Sequence, residues 1–126
     1  MMQRWMTGLG VGTLLVIAAP SAARAQAPQA AAPQEVSITG TVVDVTCKFS
    51  KGVSGDAHRS CGEVCANAGL PLAILSDDGK LYVPLGKGPG QAPTDLKAHV
   101  DHKVTVKGRV LTSSGANGIV ISSVSM

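Results

Sequence analysis

The sequence predicts a mainly β domain that closes into a small barrel. Three observations carry that prediction. Apolar and polar residues alternate with a period of two from Val36 onward, and again over residues 103–111. Glycine-bearing turn signals separate these runs, with 15 glycines in 126 residues and no collagen-like repeat. That length suits one domain and leaves no room for a large two-domain enzyme.

The first segment reads as a targeting signal. Residues 1–8 hold one basic residue, Arg4, and no acid. Residues 9–19 (LGVGTLLVIAA) are apolar, and Pro20 and Ser21 end the run. Ala23-Arg24-Ala25 then offers small residues before a cut after Ala25. This is the three-part pattern of a secretory signal peptide over residues 1–25. Its apolar run is well short of the ~20 residues of a membrane span. The expected mature chain is therefore periplasmic or secreted, with no stable membrane span. Residues 26–34 (QAPQAAAPQ) are low in complexity and read as a disordered linker. The folded domain is expected over residues 35–125.

Removal of residues 1–25 changes the composition. Trp5 goes, so Phe49 and Tyr82 are the only aromatics left. Arg4 and Arg24 go too, leaving a net charge of +1. This near-neutral balance lacks the basic footprint of a nucleic-acid binder. Two aromatics also give no stacking platform for single strands.

Each element follows in order. Val36, Ile38, Gly40 and Val42 alternate with polar residues, and the apolar set then shifts to Val43, Val45 and Cys47. A slip of one residue near a glycine predicts a bulge in a long, bent first strand that ends at Cys47. Residues 48–57 read as a loop. Residues 58–67 predict a short helix closed by Gly69 and Pro71. An apolar run over residues 70–75, the turn signal Asp77-Asp78-Gly79 and renewed alternation over 80–85 predict a hairpin. Residues 86–93 are turn-rich. Residues 94–100 predict one or two helical turns with Thr94 as N-cap. Residues 103–111 and 119–124 supply the last two strands. Five strands, a short Cys/His-bearing helix after the first and a short helix before the fourth match a five-stranded OB-like barrel.

One block carries a resemblance. Gly40-Thr-Val-Val-Asp44 with Cys47, then His58, Cys61, Cys65, Gly69 and Pro71-Leu72, resembles a family of small exported bacterial proteins. Asp78-Gly79-Lys80-Leu81-Tyr82 and Lys103-Val-Thr-Val-Lys-Gly108 extend the likeness over most of residues 36–124. The resemblance implies an exported OB-like domain with a Cys/His cluster and no assigned activity. The second half also looks like periplasmic bacterial OB-fold proteins, which generally lack the cysteine block.

The same block holds the chemistry. His58, Cys61 and Cys65 stand at i, i+3 and i+7, which share a helix face. Cys47 can fold back onto that face. Three thiolates and an imidazole form a four-ligand set for zinc or copper. A complete set leaves no open position, so the site would be structural or storage-like, and no enzyme is expected. Asp56 and Glu63 lie near enough in sequence to accept from the imidazole N–H. The competing reading follows from the oxidising compartment, where cysteines usually pair. A bridge from Cys47 to Cys61 or Cys65 would contribute about 3 kcal/mol and leave one thiol free or redox-active. The domain would then be a stapled structural module whose partner is another envelope protein. A Cys61–Cys65 bridge is disfavoured, since Cβ atoms about 6 Å apart exceed disulfide reach. Covalent haem is disfavoured as well, because the spacing is not C-x-x-C-H.

Other candidates weigh less. His99 and His102 read as solvated loop histidines. Residues 87–90 are too short for a phosphate loop. Lys107 and Arg109 read as a soluble strand face.

Overall fold

A computed structural model describes residues 34–126. The expected signal peptide over 1–25 and nearly all of the expected linker over 26–34 lie outside the described residues.

Five strands form a closed barrel: β1 (Glu35–Asp44), β2 (Leu72–Ser76), β3 (Leu81–Pro84), β4 (Lys103–Ser113) and β5 (Ala116–Ser125). Their order around the barrel is β1-β2-β3-β5-β4, with β4 returning to β1. All pairs are antiparallel except β3 with β5. This is the OB-like arrangement that the strand count and spacing predict. Two helices, α1 (Val45–Lys51) and α2 (Arg59–Asn67), form an insert between β1 and β2. A short 3-10 turn, Asp56–His58, leads into α2, and another, Lys97–His99, precedes β4.

The bend of β1 falls at Gly40. Residues 35–41 pair with β4 and residues 40–44 pair with β2, so the strand serves two neighbours in turn. At the changeover a Cβ on Gly40 would lie 2.3 Å from the Leu75 carbonyl oxygen. Only glycine admits so close a backbone approach. The register shift lies instead in β4, between Lys107 and Gly108, opposite β5.

β1 stops at Asp44 and does not run on to Cys47. The physical reason is local. Asp44 Oδ1 accepts the backbone N–H of Cys47 at 2.8 Å and so caps α1. Such a side-chain bond offers the backbone an alternative to the ladder. Val45 and Cys47 therefore do not continue the strand face of Val43, and residues 45–51 are helical rather than strand and loop. Asp95, not Thr94, supports the turn before β4: its Oδ1 accepts from Lys97 N at 2.9 Å. Thr94 donates to Ile121 O of β5. The last hairpin is tighter than its composition suggests, with Ser114 and Gly115 both at positive φ. That pair gives the two-residue turn matched to strand twist.

The barrel encloses one apolar cluster: Val42, Ile74, Leu96, Val104, Val106, Ile119 and Ile121. Alternation on β4 puts Val104 and Val106 inside, while Lys107 and Arg109 are exposed as expected. Among the described residues, no helix is long and apolar enough to cross a membrane.

Candidate metal centre

The sulfurs of Cys47, Cys61 and Cys65 all lie within 4.8 Å of one another. They come from two separate helices. Cys47 sits in the first turn of α1, where the Asp44 cap fixes the backbone. Cys61 and Cys65 are one turn apart on α2. The loop between the helices turns at Gly52, whose N–H closes α1 onto Lys48 O. α2 ends in a Schellman motif: Leu70 N–H reaches Cys65 O at 3.1 Å and Gly69 N–H reaches Ala66 O at 3.0 Å. This anchors the helix at Cys65 itself, just ahead of β2.

All three are free cysteines. The expected staple from Cys47 to Cys61 or Cys65 is not formed. Exposure is graded, with Cys47 buried, Cys65 half-buried and Cys61 exposed. Three close thiols with one open to solvent can hold a soft metal ion.

A buried carboxylate stands behind them. Asp44 is 1% exposed. One oxygen caps α1, and Oδ2 has no conventional hydrogen-bond partner. The Cys65 thiol interacts with this carboxylate. The carboxylate stabilises the protonated thiol, and with burial it pushes Cys65 up to about 12. Burial and then the Asp44 charge raise Cys47 as well. Without a cation, the pocket therefore favours thiols over thiolates. A bound cation reverses that preference, because each ligating sulfur must lose its proton.

His58 is not in the group of three sulfurs. It stands at the N-terminus of α2, and its Nδ1 lies 2.8 Å from Asp101 Oδ2. Its Nε2 is buried and has no partner. The ring also borders a hollow of about 250 Å³ with Gly52, Val53, Ser54 and Ala57. The carboxylate that receives the imidazole is neither Asp56 nor Glu63. Asp56 pairs with Arg59 on the surface, and Glu63 is exposed. Asp101 was missed because it lies 43 residues further along the chain. Its only local signal is a charged residue between two histidines just before a strand.

His99 and His102 are half-buried rather than fully solvated. Neither joins a ligand group among the described residues. A separate apolar groove of about 480 Å³ runs between the end of α2, β3 and residues 92–97. It holds none of the cysteines. Comparison with known protein families, curated proteins and solved structures gives no match.

Proposed function

We propose that this protein is an exported, non-enzymatic binding module that holds one zinc or copper ion on Cys47, Cys61 and Cys65, with His58 as the further ligand. The observation that carries the reading is the convergence of three unbridged sulfurs from two helices. Thiols scattered by chance on a small barrel would not meet. Their donor type selects soft or borderline ions. The periplasmic or secreted setting rests on the leader pattern of residues 1–25 and on the likeness of residues 36–124 to small exported proteins.

The role is holding, not turnover. The strongest cluster of reactive groups is the cysteine group itself, and the nearby carboxylate faces a thiol rather than open solvent. Elemental analysis of the purified protein tests this. One ion per chain, absent when Cys47 and Cys65 are replaced by Ser, is the expected result. A metal-free chain that takes up neither Zn²⁺ nor Cu(I) would contradict it.

A further inference from the structure

Asp101 is a carboxylate built into the interior. Its side chain is fully buried, and its backbone has φ +58°, a left-handed conformation uncommon outside glycine. The segment 100–102 is laced to β1: Asp101 N–H donates to Val42 O at 2.7 Å, and Val42 N–H donates to His102 O at 3.1 Å. α2 makes room for the carboxylate with Gly62, where a Cβ would lie 2.2 Å from Asp101 Oδ2. Two donors meet it there. Gly55 N–H reaches Oδ1 at 2.8 Å, and His58 Nδ1 reaches Oδ2 at 2.8 Å.

A carboxylate only accepts, so Nδ1 must carry a proton. The neutral ring then presents a bare lone pair at Nε2. That nitrogen is buried with no donor to satisfy it. Carboxylate-to-imidazole contacts of this kind orient metal-ligating histidines and raise their basicity. Resting on the three-cysteine reading above, we propose that Asp101 is the positioning residue of the metal site. It holds His58 in the Nδ1–H form so that Nε2 serves as fourth donor to a tetrahedral divalent ion of the zinc class. His58 precedes Cys61 by one turn of chain, and its Nε2 together with the three sulfurs would make a Cys₃His set.

Asp101→Asn is the informative change. The fixed backbone N–H of Gly55 keeps the amide oxygen, which turns the amide NH₂ toward His58. Nδ1 must then accept, the proton moves to Nε2, and the ligating lone pair is lost. The variant should keep its melting behaviour without metal and bind Zn²⁺ about 10–100-fold more weakly. In a His58→Ala background the same change should add nothing. The spectroscopic readout uses nitrogen-labelled histidine and NMR-active Cd²⁺ on the wild-type protein. Cadmium–nitrogen coupling at His58 Nε2 is expected. Cd²⁺ held on sulfur with no coupling to His58 would overturn this inference and leave the three-thiol site standing. No uptake of Cd²⁺, Zn²⁺ or Cu(I) at all would overturn both. Should Asp101→Asn fail to fold, His58→Ala and the coupling measurement decide the matter by themselves.

Discussion

The barrel and its helical insert are held by different physics. The barrel closes on hydrogen-bonded ladders around seven buried apolar residues. The insert has little such core. α2 buries only Gly62 and Ala66, while Val64 is 69% exposed and Phe49 of α1 is 76% exposed. What orders the insert is polar: the Asp44 cap, the Asp101 clamp on Gly55 and His58, and the backbone bond from Val45 N–H to Pro71 O. The barrel is thus a scaffold complete in itself. The insert is a chemical appendage whose order can respond to what the thiols bind.

The largest effect should come from the barrel side. Ile119 is fully buried in the core cluster, and Ile119→Ala should cost about 2–5 kcal/mol. Thermal melting should show the loss with or without metal. A metal ion that restored full stability would blur the division between the two regions. Next comes the seam between them. Gly62→Ala places a methyl against Asp101 and Val100, and should destabilise by about 1–3 kcal/mol. Amide exchange should rise in residues 45–70 and stay low in β4. Equal loosening of β4 would show that the insert and barrel unfold as one unit.

A smaller effect concerns the thiols. Asp44→Asn keeps a good cap but removes the charge beside the cysteines, so stability should change by less than about 1 kcal/mol. Cys65 should fall from about 12 toward its ordinary value, seen as thiolate absorbance appearing at lower pH. An unchanged titration would mean that burial alone holds the thiols protonated. The smallest effect is alkaline. Cys47 and Cys65 are both raised in the folded, metal-free state. Their contribution is fully present below the unfolded thiol value of 9.0 and is lost as pH climbs toward about 12. Melting temperature should hold up to that lower limit and decline above it in the metal-free protein, and decline less when Cys47 and Cys65 are Ser.

The two regions also differ in how well the sequence announced them. The strands were legible because burial on one face writes a period of two, as in Val104 and Val106 against Lys107 and Arg109. The one-face spacing of Cys61 and Cys65 was legible because it is local to one helix. The end of β1 was not. A single side-chain bond from Asp44 diverts the chain into a helix, and alternation through Val45 and Cys47 conceals it. Cys47 still reaches the other thiols, but from a helix rather than a strand end. Asp101 was illegible for the opposite reason. Its partners lie 43 and 46 residues away, and they meet through tertiary packing, the bridge of Val100 to Val42 and the seat of Asp101 against Gly62.

The most direct test of the account is metal titration of the reduced protein with simultaneous thiol counting. One Zn²⁺ or Cu(I) per chain should bind with release of protons, shield all three cysteines from alkylation and slow amide exchange in residues 45–70 alone. Binding that leaves Cys47 and Cys65 open to alkylation, or that persists with all three cysteines replaced by Ser, would contradict the claim that these thiols form the site.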